Sequence, residues 1–368
     1  MHYRTLCCLM AWLMGPLAAA QAQLIVSVPA HPVPYVSTAT VSTLAGEAGS
    51  KGSVDGLGAA ARFDYPMGVA AGPNGTVYVA DEGNMTIRCL VPSGMVTTLA
   101  GAAAAKGSAD GPGAAARFYH PVGLAVAADG TVFVTDADNH AIRKIRPDGT
   151  VSTVAGTIGR KGSADGPGSI AQFNLPHGVA VDASGALYVA DTFNHTIRKI
   201  APDGSVITLA GLAGHKGSAD GAGPAARFFH PAAVAVDTHG ILYVADNGNE
   251  TIRKITPSGE VTTLAGAAHH GGYADGPGAT ARFRAPTGVA VDALGNLYVV
   301  DHLNALLRRI TPAGNVTTLA GTVLHFGSEN GSGSTARFNG PSGVAIDASN
   351  MLYLTDSANQ TVRKIALE

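Results

Sequence analysis

The sequence predicts an all-β protein, a six-bladed β-propeller with four antiparallel strands per blade and an N-terminal strand that completes the last blade. Three observations carry this reading. The first is a period. Asp81, Asp136, Asp191, Asp246, Asp301 and Asp356 stand 55 residues apart. Arg88, Arg143, Arg198, Arg253, Arg308 and Arg363 keep the same step, as do Phe63, Phe118, Phe173, Phe228, Phe283 and Phe338. No insertion interrupts the six copies, and a repeat of this length marks a solenoid or a propeller. The second is four short strand-like runs in each copy. The third is a phase offset. Val41 to Gly46 reads as a fourth strand with no first three before it, while the sixth copy holds only three. A strand from one end can complete the blade at the other and remove an open edge.

In chain order, residues 1–22 read as a secretory signal. Arg4 precedes an apolar run from Leu6 to Leu17, and Ala20 and Ala22 fit a small-residue cleavage site before Gln23. The run is too short to span a bilayer. Residues 23–40 contain Pro29, Pro32 and Pro34 and read as an extended lead-in. The propeller fills residues 41–368. In its third copy the strands are Gly178 to Asp182, Leu187 to Asp191, Thr196 to Ile200 and Val206 to Gly211. Ser184-Gly185, Phe193-Asn194 and Pro202-Asp203-Gly204 separate them as turns. Apolar residues lie on both strand faces, as expected of a small sheet packed between two others.

Composition narrows the function. Charged residues make up 14% of the chain and the formal net charge is −2, which argues against a basic nucleic-acid surface. A hydrophobic content of 46% argues against disorder. Cys7 and Cys8 fall in the signal, so Cys89 is the only cysteine of the mature chain and no internal disulfide is available.

The run Pro176-His177-Gly178-Val179-Ala180-Val181-Asp182, then Leu187 to Asp191, then Asn194-His195-Thr196-Ile197-Arg198-Lys199-Ile200, resembles the NHL repeat. Asn194-His195 and Asn139-His140 keep two letters of its naming tripeptide, and no copy keeps all three. The likeness covers residues 41 to 368 and is closest to a long-repeat bacterial, secreted form. It implies the fold. It says less of function, because such propellers serve as scaffolds, sensors and, less often, enzymes.

Residues present in all six copies read as architecture. The Asp and Arg series above, with Asn84 and its equivalents, are expected to cap turns and bridge strands. Each copy also carries a long loop before its first strand, such as Lys106-Gly107-Ser108-Ala109-Asp110-Gly111. These loops should enlarge one face, and loops on a rigid scaffold are where binding tends to reside. Asp110 and its equivalents are Gly-bracketed turn residues or, alternatively, calcium ligands.

Departures from the repeat are the functional candidates. Lys51, Lys106, Lys161 and Lys216 form a basic arc over four copies, replaced by His269-His270 and His325-Phe326 in the last two. Met67, Val122, His177, Ala232, Thr287 and Ser342 should ring a channel mouth, and His177 alone among them ionises. His120 and His230, each just before a proline, lie close in register. Some peptide-amidating lyases of NHL fold place metal-binding histidines near this position. Only one copy matches here, whereas catalytic zinc needs three protein ligands. The expected protein is therefore an exported, secreted or periplasmic monomer. Its long-loop face binds a protein or glycan of the cell envelope, with no nucleic acid and no required cofactor. A zinc- or calcium-dependent lyase or hydrolase centred on His177 is the alternative.

Overall fold

The computed structural model describes residues 39–367, and the expected signal and most of the expected lead-in lie outside them. Six antiparallel sheets follow one another in the order of the repeat. Blade 1 runs Pro66–Ala71, Val77–Asp81, Thr86–Leu90 and Met95–Gly101, and the pattern recurs through blade 6. The strand Ala39–Ala45 pairs antiparallel with Thr361–Leu367, with Val41 opposite Ile365, and so closes blade 6. It begins two residues earlier than expected, which moves Ala39 and Thr40 from the lead-in into the sheet.

The blades are also wider than the sequence implied. In five of the six sheets a two-residue strand from the preceding loop adds a fifth, outermost member, such as Gly166–Pro167 against Ser205 and Val206. In blade 2 the same contact shrinks to an isolated bridge between Gly111 and Val151. Among the described residues no helix is long and apolar enough to cross a membrane.

The core lies between blades. Ala180, Tyr188, Ala190 and Ile197 of blade 3 pack with Phe228, Val234, Leu242 and Val244 at blade 4. Phe228 and its five equivalents have no exposed surface. Burying one such ring contributes about 3 kcal/mol, so the six ring insertions are the main apolar fasteners between neighbours. First strands pack against one another around the axis, backbone on backbone. A Cβ added at Gly123 would sit 2.0 Å from the His177 carbonyl oxygen, so glycine is required there, while blade 4 carries Ala233 at the equivalent position.

One polar assembly recurs in blades 1 to 5, and in blade 6 with Asn330 in place of the loop aspartate, and fixes the long loops. In blade 3, Arg198 Nη1 donates to Asp191 Oδ2 at 2.8 Å and to the Gln172 carbonyl at 2.8 Å. Its Nη2 donates to Asp165 Oδ1 at 2.6 Å and to the Ala164 carbonyl at 3.0 Å. The guanidinium carbon lies 5.0 Å from the Phe173 ring centroid, a cation–π contact. Asp191 also accepts from the Asn174 N–H at 2.7 Å and from Asn194 Nδ2 at 2.7 Å. Asp165 also accepts from the Thr208 N–H and hydroxyl. The loop aspartate is therefore an arginine partner, with both oxygens engaged by protein donors. Burial pushes Asp81, Asp136, Asp191, Asp246, Asp301 and Asp356 up to about 6, against the pull of arginine and asparagine donors.

Candidate functional site

The long loops, the turns between second and third strands, and the starts of the innermost strands share one face. The opposite face carries tight turns such as Asp182 to Ala186. There Asp182 accepts from the Ser184 N–H at 2.8 Å and from the Tyr188 hydroxyl at 3.0 Å. On the long-loop face the turns of blades 3, 4 and 5 reach toward the next blade. The Thr192 hydroxyl donates to the Pro231 carbonyl at 2.8 Å, Asn247 Nδ2 to that of Pro286 at 3.1 Å, and His302 Nδ1 contacts that of Pro341 at 2.7 Å.

The asparagine–histidine pairs belong to this linkage. His140 and His195 follow their asparagines in left-handed backbone, with φ of 55° and 60°. Nδ1 of His140 accepts the Leu175 N–H, and Nδ1 of His195 accepts that of His230, both at 3.2 Å. Gln360 Oε1 does the same for Tyr65 at 2.6 Å across the junction between blades 6 and 1. These rings are inter-blade acceptors. Burial lowers the pKa of both histidines, helped by the charges of Lys161 and Lys216 respectively.

The face is not sixfold in its chemistry. Over blades 1 and 2, His120 Nδ1 lies 2.8 Å from Asp138 Oδ2, and its Nε2 lies 4.0 Å from Glu82 Oε1. The ring of His120 also packs 4.8 Å from that of Tyr119. Over blades 3 and 4, His230 is surrounded by rings, with centroids of Phe229, Phe193 and His195 at 4.6, 4.8 and 4.8 Å. His177 stands between the two groups. It is only partly open to water, and its pKa falls to about 4 because burial outweighs the attraction of Asp138. His230 falls to about 4 by burial and by repulsion from His195, His177 and Lys216. Over blades 5 and 6 the His120 and Asp138 positions hold Ala285, Leu303, Gly340 and Ala358, and the Tyr119 and Glu82 positions hold Arg284, Asn339, His302 and Ser357.

Two lysines of the arc, Lys106 and Lys216, lean on this cluster. Lys51 Nζ lies 3.5 Å from Asp64, Lys106 Nζ 5.0 Å from the Tyr119 centroid, and Lys216 Nζ 4.6 Å from the Phe229 centroid. All four lysines are exposed. His269 and His325 are exposed on the loops before blades 5 and 6, where His325 Nδ1 contacts its own loop at Val323.

The structure thus brings His120, His177 and His230 to one mouth, with Lys106 and Lys216 stacked at its rim. It does not gather them into a ligand set: among the described residues no three His, Cys, Asp or Glu side chains lie at metal-holding spacing. Sequence reasoning missed Glu82, Asp138, Phe193, Tyr119 and Phe229. The signal was available, since the equivalents of Asp138 are Gly83, Phe193, Gly248, Leu303 and Ala358. A position that varies this widely in a strict repeat is released from architecture.

Known families now bear on the chain. The NHL repeat matches residues 63–90, 118–145 and 173–200, each covering the stretch from the buried Phe through the third strand. The chain is an NHL-repeat β-propeller. Arabidopsis thaliana protein SUPPRESSOR OF QUENCHING 1, chloroplastic, is 37% identical over 161 residues, 40% of this chain and 15% of that protein. Human NHL repeat-containing protein 2 is 29% identical over 327 residues, 79% of this chain and 44% of that one. The NHL propeller therefore spans less than half of either relative. An auxiliary nutrient binding protein of Bacteroides thetaiotaomicron superposes with a TM-score of 0.68 at 16% identity, over 90% of this chain and 76% of that one. At that identity the likeness is one of fold.

Proposed function

We propose that this NHL-repeat propeller is an exported binding scaffold whose ligand, a protein or a glycan of the cell envelope, docks on the long-loop face over blades 1 to 4. The observation that carries the reading is the asymmetry of the mouth. Aromatic rings, imidazoles and carboxylates absent from the repeat converge there, while blades 5 and 6 place no aromatic ring at the Tyr119, His120 and Asp138 positions. Half-exposed aromatic rings beside hydrogen-bonding imidazoles and carboxylates suit a sugar or a peptide side chain, which needs an apolar face and polar edges together. The nutrient-binding description of a structural neighbour supports a binding role.

Export is part of the proposal and rests on the signal-like residues 1–22. N-terminal sequencing of the protein recovered from the cell envelope or medium should begin at Gln23. Recovery of full-length chain from the cytoplasm would remove this part. For the face itself, the test is capture from an envelope extract by wild type and by a variant with Lys106→Glu, Lys161→Glu and Lys216→Glu. The lysines are exposed rim groups, so the variant folds. Capture should fall at least tenfold if the ligand is acidic. Undiminished capture would take the rim out of the site and leave the ring cluster as its whole extent.

A further inference from the structure

The loop clamp is complete in five blades and incomplete in the sixth. Five copies carry Asp-Gly at the clamp: Asp55-Gly56, Asp110-Gly111, Asp165-Gly166, Asp220-Gly221 and Asp275-Gly276. The sixth carries Asn330-Gly331. In blade 2, Asp110 Oδ1 receives Arg143 Nη2 and the Thr153 hydroxyl, while Oδ2 receives the Thr153 N–H at 3.0 Å. In blade 6, Asn330 Oδ1 receives Arg363 Nη2 at 2.8 Å and the Thr43 hydroxyl at 3.1 Å. Its other terminal atom is an NH2 group, a donor, where the other blades offer an acceptor to the threonine N–H. Arg363 consequently has one carboxylate partner, Asp356, in place of two. Thr43 belongs to the closing strand, so the incomplete clamp is the one that holds the ring shut.

Asparagine followed by glycine is the pair in which the main-chain nitrogen most easily reaches the side-chain amide, because glycine has no Cβ to obstruct it. We propose that Asn330 is a self-modification site that deamidates to aspartate in the folded ring and thereby completes the sixth clamp. The Gly331 nitrogen attacks Asn330 Cγ, the Cγ–Nδ2 bond breaks, and ammonia leaves, forming a five-membered succinimide. Water then adds at Cγ and breaks the new Cγ–N bond. That restores the original main chain with a carboxylate and releases a proton. Nothing is oxidised or reduced, and water is the only co-reactant.

The surroundings direct both steps. Asn330 is exposed, so water reaches it. Arg363 Nη2 on Oδ1 draws electrons from Cγ and stabilises the oxyanion at each addition. It therefore favours water attack at Cγ, which gives aspartate, over attack at the main-chain carbonyl, which gives isoaspartate. Gly331 stands opposite Val41 of the closing strand, in the register in which the equivalent Gly111 N–H of blade 2 donates to the Val151 carbonyl, so docking of that strand engages the nucleophile. Fraying of the strand frees the nucleophile, and the product then holds the strand more tightly. The other Asn-Gly pairs, at Asn74, Asn247 and Asn339, fall where the six copies disagree. Asn74 lies in an exposed turn with φ of 58° and serves as an internal control.

The experiment ages the purified folded protein in mildly alkaline buffer. Peptide mapping by mass spectrometry reads amide-to-acid conversion, and isoaspartyl-specific methylation reads the product ratio. Aspartate should exceed isoaspartate at least threefold at position 330, with the reverse preference at position 74. Sub-denaturing urea should speed conversion at 330 relative to 74. Asn330→Asp should melt about 2 °C or more above fresh wild type, as one regained ion pair and one regained hydrogen bond imply. Aged wild type should approach it, and Asn330→Gln should neither convert nor gain stability. No conversion at 330 while 74 converts, isoaspartate in excess at 330, a urea-independent ratio, or an Asn330→Asp melting point no higher than wild type would each overturn the proposal.

Discussion

Removing either aspartate partner of one buried arginine should reveal how the loops are held. Arg198 has no exposed side-chain surface and is bracketed by Asp191, fully buried, and Asp165, 46% exposed. Asp191→Ala takes the buried carboxylate from Nη1, leaves Nη2 on the more exposed Asp165, and deprives the Asn174 N–H of its acceptor. Breaking a buried pair in this way costs about 3–5 kcal/mol. Asp165→Ala leaves the Asp191 pair and the Gln172 and Ala164 carbonyls in place. Its loss is two or three partly hydrated hydrogen bonds, about 1–2 kcal/mol. The assay is urea unfolding at neutral pH, comparing midpoints at matched slope. The buried variant should be less stable than the exposed one by about 2 kcal/mol or more. Asp191→Asn with Arg198→Met should recover part of the loss, because no unpaired charge then remains buried. Equal costs for the two single variants, or a larger cost at Asp165, would refute the view that the inner aspartate carries the clamp.

Other perturbations test neighbouring parts of the account. Gly123→Ala should destabilise by several kcal/mol or prevent folding, since its Cβ would fall 2.0 Å from the His177 carbonyl; near-wild-type melting would contradict the packing of first strands. Acid should weaken the mouth through its histidines. His177 and His230 have folded pKa values of about 4, below the ordinary 6.5, so the unfolded chain takes up their protons first. Their contribution is present above about pH 6.5 and is lost as pH falls toward 4. The buried aspartates, raised to about 6, titrate in the opposite sense. The readout is therefore the difference between wild type and His177→Gln across this range, which isolates the histidine. Parallel pH profiles would show that His177 is not held neutral by burial. His195→Ala should loosen the junction of blades 3 and 4 by about 1 kcal/mol, through the lost acceptor for the His230 N–H. Amide exchange at His230 reads it directly.

The fold was legible because six copies without an insertion repeat every local signal. An error in one strand is corrected by five others. The fifth, outermost strand escaped because two residues such as Gly166-Pro167 have no periodicity, and their pairing depends on where the loop is pinned. The pinning itself was half legible. Asp165 and Arg198 were each conspicuous, but they lie 33 residues apart and nothing local joins them. Turn and calcium-ligand readings of the loop aspartate were both legible, whereas its arginine partner was not. At the mouth, His120, His177 and His230 stood out by residue type. Glu82 and Asp138 did not, because acidic residues in a tight turn look ordinary until compared position by position with the other five turns.

The central claim is that the repeat builds the ring and the departures from it bind the ligand. The direct measurement is ligand capture by a variant whose mouth is returned to residues found at the same positions in other copies: Glu82→Ser, Asp138→Gly, Tyr119→Asn, His120→Ala and Phe229→Asn. Each replacement comes from the chain's own repeat, so the melting temperature should stay within a few degrees of wild type. Capture of the envelope ligand should fall below detection. A variant that keeps its melting temperature and still captures the ligand at wild-type strength would contradict the account.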